Sequence, residues 1–399
     1  MIYVLMACMP LAVTAQKKAI SQARTYVKGK KENELVKAEQ MMNDLLRDSA
    51  NRQNEKIWLI LADAVHLQYV QGNEKLYLKQ KYDTTRLFTT ASKLFRIYEA
   101  FDSVEMKPNA KGKVEIKYRA KHSDILNAMR PNIYNGAAFA LRKQDYKSCL
   151  AYSDQYVDCA YQPIFADYHY LDTDTLLPNA AYWALFSAYK LNNLQAAVKH
   201  QKMAEEDSSR FDNIQQYIAE LQLAHGDTAQ FVASLERGFN NNPTHSFFFP
   251  RIVDYYNAKG MVDSAAVFID NALASDSTNT LFLFAKSSAL LNSGDYQKCI
   301  EVTQKLLERA DSMPEAYCNM GLAYYNQAVA LDRTMQRSRK KRKSVNELYA
   351  KSKPYMEEFR KLAPAQQSKW VPALYTIYLN LNMGKEFEEI DAIRQKMNL

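Results

Sequence analysis

The sequence contains few of the residues that interrupt helices. Its 399 residues include only 10 glycines and 11 prolines, and the alternating apolar pattern that predicts β-strands does not recur along it. Strand-rich folds need many turn residues of these two types, so a mostly β architecture is excluded. We therefore predict an all-α chain. Its 27 tyrosines suit helix faces that are half buried, with the hydroxyl in water.

The sequence also lacks the motifs of common catalytic and metal sites. It has no His-Glu-x-x-His, no Gly-x-Ser-x-Gly and no phosphate-binding Gly-x-x-x-x-Gly-Lys. The acidic cluster Asp172-Thr173-Asp174, with Asp167 nearby, lacks the glycine and the distal glutamate of a calcium loop. We interpret this cluster as a solvated turn. We expect no catalytic residue, no metal and no cofactor, and a protein that is not an enzyme.

Residues Met1 to Ala15 form an apolar run without a charged side chain. The run is shorter than the roughly 20 residues that a membrane-spanning helix needs. Val13-Thr14-Ala15 offers small side chains of the kind that precede a signal-peptidase cut. We therefore expect a signal peptide at 1–15 and export to the periplasm or cell envelope of a bacterium, with outer-membrane association or secretion left open.

Two features of this run leave alternatives. The basic segment that normally precedes the apolar part of a signal peptide is missing. Leu5-Met6-Ala7-Cys8 loosely resembles a lipoprotein cleavage site, although the apolar run continues after Cys8. Lipidation at Cys8 and retention of the run as an anchor are therefore alternatives to cleavage after Ala15.

Four cysteines follow this run: Cys149, Cys159, Cys299 and Cys318. An exported protein can oxidise cysteines to disulfides. Cys149 and Cys299, however, stand where a small residue opens the second helix of a helical pair. We interpret the cysteines as small buried apolar residues.

A 34-residue period runs through the second half of the chain. Gly226, Gly260 and Gly294 follow one another at intervals of 34, and Asn192 holds the same position one period earlier. Each ends one helical run and opens a turn. Five residues later a small or apolar residue begins the next run, namely Ala197, Phe231, Ala265 and Cys299. This period and layout resemble the tetratricopeptide (TPR) family.

The resemblance implies a right-handed α-solenoid of stacked helix-turn-helix repeats. Its regular units are 178–211, 212–245, 246–279 and 280–313, and Pro314 begins a fifth. We expect divergent TPR-like pairs over 16–163, an insert loop over 164–177, the regular array over 178–366 and C-terminal capping helices over 367–399. A polar surface loop or hairpin between units is expected over 102–119. The second helix of the fifth unit comes about 19 residues late, which predicts a longer hairpin with a basic insert over 329–347.

The resemblance also implies that the first helix of each pair lines a concave groove that holds a peptide or helix. Tyr182, Phe186 and Tyr189 recur at i, i+4 and i+7, and therefore share one helix face. Comparable positions in later units hold Phe247, Phe284 and Tyr325. We take these six rings as the candidate partner groove. The alternative is that they pack against neighbouring repeats.

The basic insert is the other candidate contact surface. Seven cations and no acid fall between residues 333 and 344, and they account for all but one of the net +8 charge. A solvated tip without a partner is one interpretation, and contact with an anionic envelope surface, either lipid head groups or an acidic protein, is the other. The seven are Arg333, Arg337, Arg339, Lys340, Lys341, Arg342 and Lys343.

The sequence therefore predicts a non-catalytic protein-interaction scaffold of the bacterial cell envelope with a protein or peptide partner. Nucleic acid is not expected as a partner. Two other functions remain open: a carbohydrate-binding helical lipoprotein, which would need lipidation at Cys8, and an envelope enzyme with an unrecognised site.

Overall fold

The computed structural model describes residues 5–108, 112–334 and 339–397. Within these ranges the regular structure is entirely helical. The chain divides into two compact units, Met1–Asn242 and Pro243–Leu399. No helix among the described residues is both long enough and apolar enough to cross a membrane.

The first unit is a stack of antiparallel helical pairs whose second helices pack on the first helix of the next pair. Its helices are α1 (Leu5–Gly29), α2 (Glu32–Arg47), α3 (Glu55–Tyr77), α4 (Thr84–Glu105), α5 (Arg119–Arg142), α6 (Tyr146–Asp158), α7 (Tyr170–Thr173), α8 (Leu177–Lys190), α9 (Leu194–Lys199), α10 (Gln201–Ala204), α11 (Phe211–Ala224) and α12 (Thr228–Asn241).

The second unit repeats the same arrangement of pairs. Its helices are α13 (Phe248–Ala258), α14 (Val262–Ser275), α15 (Thr280–Ser293), α16 (Tyr296–Leu307), α17 (Pro314–Thr334), α18 (Arg339–Leu362), α19 (Gln367–Asn380) and α20 (Gly384–Lys396). The prediction of an all-α solenoid of stacked helical pairs is confirmed.

The turns inside the pairs lie where the 34-residue period places them. Gly226, Gly260 and Gly294 have φ angles of +77°, +69° and +83°, and Asn192 has +53°. This left-handed conformation ends a helix and is most accessible to glycine and asparagine. The period in the sequence is therefore the period of these chain reversals.

The residue after the turn starts the second helix. Asn193, Asp227 and Asp295 each accept a hydrogen bond from the backbone N–H three residues later, at 3.1, 3.2 and 3.3 Å. Asp145 makes the same bond at 3.1 Å before α6. Such caps satisfy a backbone donor that the first helical turn leaves without a partner.

The segment between α6 and α8 is docked on the first unit and is not a free surface loop. Ile164, Phe165 and Tyr170 are buried, and the ring of Phe165 lies 6.0 Å from that of Phe95 on α4. The stretch 164–177, expected as an insert loop, includes the short helix α7, and its apolar side chains join the core.

The stretch 102–119, for which a polar surface loop or hairpin is expected, begins inside α4. Helix α4 continues to Glu105, and Asp102 is buried. Both carboxylate oxygens of Asp102 accept hydrogen bonds of 2.8 Å from Arg119. Glu105 accepts one of 3.0 Å from the N–H of Lys117. Hydrogen bonds to the buried Asp102 and Glu105 therefore join the two ends of the stretch.

Helices α17 and α18 form the long hairpin that the delayed pattern predicts. They have 21 and 24 residues, whereas α15 and α16 of the preceding pair have 14 and 12. The extra residues of α17 add about 10 Å at the helical rise per residue. The basic insert therefore lies at the far end of a hairpin that is longer than the pair before it.

Candidate interaction surface

Five half-buried rings form a connected strip in the first unit, which we call the aromatic strip: Tyr146, Tyr182, Phe186, Tyr189 and Tyr217. The ring of Phe186 lies 6.2 Å from Tyr182, 6.0 Å from Tyr146 and 5.6 Å from Tyr217. Tyr189 stacks on Tyr217 at 4.5 Å. The strip therefore joins α6, α8 and α11.

The small residues of α8 occupy the buried face of this helix, next to the face that carries the rings. Ala181, Ala184 and Ala188 are buried between neighbouring helices. The rings at positions 182, 186 and 189 leave the same helix on the adjoining face. The three predicted groove residues of α8 are thus brought together. Tyr182 contacts Phe186, and Tyr217 contacts both Phe186 and Tyr189. All three residues of α8 keep part of their surface in solvent.

Cations lie over the strip at both ends. The guanidinium of Arg210 is 4.3 Å from the ring centre of Tyr182. The ammonium of Lys190 is 5.1 Å from the rings of both Phe186 and Tyr189. A cation over an aromatic face is attracted by the ring's negative quadrupole. The strip therefore combines apolar area with positive charge.

The polar atoms of the strip have partners that hold it in place. Tyr189 donates its hydroxyl hydrogen to Glu220, and that bond together with burial raises the pKa of Tyr189 to about 12. Burial raises the pKa of Tyr182 to about 12 as well. Arg210 donates to Asn179 at 2.7 Å. Both hydroxyls consequently stay protonated at neutral pH.

Sequence reasoning missed four members of this surface: Tyr146, Tyr217, Lys190 and Arg210. Tyr217 lies 34 residues after Trp183, so the repeat period was a signal that could have found it. The ring of Trp183 itself lies 4.8 Å from that of Tyr134, in a tilted arrangement. The two cations carry no signal in the sequence, because surface lysines and arginines are common.

The predicted groove residues of the second unit lie in three different settings. Phe247 is buried edge-on against Phe248, so its assignment to an open groove is wrong. Tyr325 is half buried and packs on Tyr349 at 5.8 Å. Phe284 lines an apolar cavity of about 270 Å³ between α13, α14 and α15.

The cations of the basic insert differ in their exposure to solvent. Arg333, Arg339, Lys340, Arg342 and Lys343 are exposed. Lys341 is buried, and its ammonium donates a hydrogen bond of 2.6 Å to the carbonyl oxygen of Asp332. Lys341 is therefore a structural contact between α17 and α18 and is not available to a surface. Arg337 lies outside the described residues.

One group of side chains has the spacing of metal ligands: Asp154, Asp158 and His200. The ammonium of Lys199 lies 2.7 Å from Asp154 and 2.6 Å from Asp158, and His200 lies 2.8 Å from Asp154. A lysine that bridges both carboxylates supplies the positive charge that a metal ion would bring. The group is a polar contact between α6 and the α9–α10 segment.

The acidic cluster near residue 172 is also a packing contact. Asp174 accepts hydrogen bonds from Arg130 and from the hydroxyl of Tyr156. The guanidinium of Arg130 lies between the rings of Tyr156 and Tyr170, at 3.8 and 3.9 Å. Burial disfavours the Asp174 carboxylate, but these bonds outweigh it and lower its pKa. The interpretation as a solvated turn is wrong for Asp174.

The four cysteines that follow the N-terminal run are buried and free. Burial raises the pKa of Cys149 and Cys299 and brings that of Cys318 to about 11. A thiol is nucleophilic only as thiolate, so these groups are unreactive at neutral pH. Their interpretation as small buried residues is confirmed.

Comparison with known proteins gave structural similarities only. No family model matches the chain, and no curated protein does. The C-terminal part of a TPR repeat-containing protein from Cytophaga hutchinsonii is similar with a TM-score of 0.41 and 14% identity, over 64% of this chain and 91% of that one. A TPR repeats protein from Bacteroides fragilis gives 0.31 and 12%, over 66% and 98%. Human IFIT1 with m7Gppp-AAAA gives 0.35 and 14%, over 78% and 68%.

The helical pairs themselves agree with the repeat found in the sequence. Left-handed turns at Asn192, Gly226, Gly260 and Gly294, each followed by a second helix that packs on the first helix of its own pair, reproduce the 34-residue helix-turn-helix unit. In sequence period and in fold, the chain resembles the tetratricopeptide-repeat proteins.

Proposed function

We propose that the protein is a non-catalytic interaction scaffold that binds an extended segment of a protein partner on the aromatic strip. The observation that carries this proposal is the position of Lys190 and Arg210 over half-buried rings. Aromatic and arginine side chains that are partly desolvated provide most of the binding energy in many interfaces. The strip has both, because its rings lie on α6, α8 and α11 and Arg210 directly precedes α11.

The chemistry of the strip defines the kind of segment it suits. Rings offer apolar area to aliphatic or aromatic side chains, and the two cations attract carboxylates. The partner segment should therefore combine apolar residues with aspartate or glutamate. A carbohydrate would need ring faces open to a sugar plane, whereas Tyr189 and Tyr217 stack on each other.

The test compares two exposed lysines of the same helical pair. Binding of short acidic-apolar peptides to the whole protein is measured by fluorescence anisotropy, for the parent, Lys190→Glu and the control Lys202→Glu. Lys202 is exposed on α10 and is not one of the cations that lie over the strip. Loss of a charge-assisted contact is expected to weaken binding about tenfold in Lys190→Glu only. Equal affinity of the two variants, or no peptide binding by the parent, would rule out the strip.

We also propose that the scaffold acts in the cell envelope, on the basis of the apolar run 1–15 and the small residues before Gln16. Residues 1–4 lie outside the described residues, and the backbone of 5–15 belongs to α1. Intact-mass measurement of the protein recovered from the envelope and the cytoplasmic fractions of a bacterium tests this. A new N-terminus at Gln16 supports export, a lipidated Cys8 supports the lipoprotein alternative, and an uncut chain found only in the cytoplasm contradicts both.

A further inference from the structure

The tip of the α17–α18 hairpin carries positive charge on one side of a helix. At about 100° per residue, Arg339, Lys340, Arg342 and Lys343 cover an arc of roughly 160° around α18. Lys341 and Val345 lie outside this arc and are buried. In the first two turns of α18, the four cations of the arc are therefore exposed. Lys341, which bonds to α17, is buried.

These cations are not neutralised by acids of the chain. Among the described residues, no carboxylate is recorded within ion-pair distance of Arg333, Arg339, Lys340, Arg342 or Lys343, and the nearby Asp332 pairs with Lys341 at 3.8 Å. Cations concentrated at the end of a hairpin repel one another. An anionic partner relieves that repulsion.

A groove lies beside these cations. It has a volume of about 550 Å³, and its lining includes Arg339, Arg342, Asn346, Asn380 and the carboxylate-bearing Asp332. The first three of these stand at i, i+3 and i+7 on one face of α18. The amide of Asn380 donates to the carbonyl oxygen of Thr376 at 2.9 Å. Two guanidinium groups beside two amides suit the oxygen atoms of a phosphate group.

We propose that the tip binds the phosphate groups of an anionic phospholipid surface, with Arg339 and Arg342 holding one headgroup phosphate in the groove. Single-stranded nucleic acid is the other polyanion to consider, and its binding sites combine cations with aromatic side chains on which bases stack. Residues 339–346 include no aromatic side chain. A membrane surface needs only outward-facing cations, and this requirement is met here.

The test uses charge-matched double variants of the whole protein. Arg339→Gln/Arg342→Gln removes two cations of the groove, and Lys305→Gln/Lys385→Gln removes two exposed cations elsewhere in the second unit. Each cation near an anionic surface contributes about fivefold to binding, so the groove variant should bind phosphatidylglycerol vesicles about 30-fold more weakly at low salt. The control variant should bind as the parent does, and added salt should weaken binding of both.

Further arms of the same experiment separate the sources of the anion. Vesicle co-sedimentation that the groove variant loses, with no binding to phosphatidylcholine vesicles and no calorimetric heat with inorganic phosphate, supports the lipid surface. Binding of inorganic phosphate without vesicle binding overturns the lipid in favour of a soluble phosphate. Tighter binding to single-stranded oligoadenylate than to vesicles also overturns the proposal, and so does equal vesicle binding by the two variants. Circular dichroism of both variants confirms that each one is folded.

Discussion

The hydroxyl of Ser352 on α18 donates a hydrogen bond of 2.7 Å to the carbonyl oxygen of Gly321 on α17. At this crossing a Cβ atom on residue 321 would lie 2.4 Å from Sδ of Met356 and 3.3 Å from its backbone nitrogen. The absence of a side chain at position 321 is therefore what lets the two helices of the long hairpin meet.

Gly321→Leu should lower the free energy of unfolding by about 1–3 kcal/mol, because the added side chain must displace Met356 from a packed contact. Thermal melting followed by circular dichroism measures the effect. Gly384→Leu is the matched control, since a Cβ at Gly384 meets nothing within 4 Å. Equal melting temperatures for the two variants would show that position 321 is not at a tight crossing.

Arg130→Met should be among the most destabilising substitutions in the first unit. It leaves the partly buried carboxylate of Asp174 without its cation and removes the group between the rings of Tyr156 and Tyr170. Breaking a buried pair from one side typically costs about 3–5 kcal/mol. Urea unfolding measures this cost.

The same substitution should release the segment between α6 and α8. Limited proteolysis is expected to cut Arg130→Met within 162–177, where the parent resists. Arg142→Met, at the exposed end of α5, serves as the control. If Arg130→Met/Asp174→Asn does not recover part of the lost stability, the unpaired carboxylate is not the cause.

Glu99 should make the stability of the first unit depend on pH. Burial and the nearby Asp158 raise the pKa of Glu99 to about 7, although Arg96 acts in the opposite direction. A carboxyl group whose pKa is raised by folding binds more protons in the native state. The free energy of unfolding should therefore fall as pH rises from about 4.5 to about 7.

Glu99→Gln removes this titration, so the variant should gain stability relative to the parent at about pH 8 and little at about pH 5. Urea midpoints at the two pH values test the expectation. Glu206→Gln, on an exposed side chain, should follow the parent. A parallel pH dependence of Glu99→Gln and the parent would assign the effect to other groups.

The buried thiols should resist alkylation in the native protein. Cys149, Cys159, Cys299 and Cys318 are all buried, and their raised pKa values disfavour the thiolate. Iodoacetamide labelling mapped by mass spectrometry should detect these sites only after denaturation. Lys202→Cys supplies an exposed reference thiol that should react at once. Fast labelling of Cys318 in the native protein would show that the second unit opens locally.

The sequence predicted the fold well because the turns repeat. A left-handed residue followed by a capping Asp or Asn is a local signal, and Gly226 with Asp227 shows it clearly. The same turn at Gln144 escapes such a reading, since glutamine rarely adopts φ of +58°. Only the capping Asp145 marks this turn in the sequence, because Gln144 lies before the regular units that begin at 178.

The candidate surfaces were predicted only in part. Helix periodicity predicts which side chains share one face of a helix, but it does not predict which residues of other helices contact that face. It grouped Tyr182, Phe186 and Tyr189 correctly, yet Tyr217 belongs to the next pair. At the basic tip, composition alone does not separate the buried Lys341 from its exposed neighbours. Docking of Phe165 and Tyr170 likewise depends on contacts distant in sequence.

Gln144 and Asn382 occupy left-handed turns, with φ of +58° and +55°. The free energy of unfolding of the protein can therefore be raised by substitution at these two positions. A left-handed conformation costs a residue with a side chain about 1–2 kcal/mol, although asparagine bears less of that cost. Glycine at position 144 would remove most of it without touching either candidate surface. An engineer who needs a more heat-resistant form of the protein would begin at these chain reversals, since the helices they join would keep their contacts.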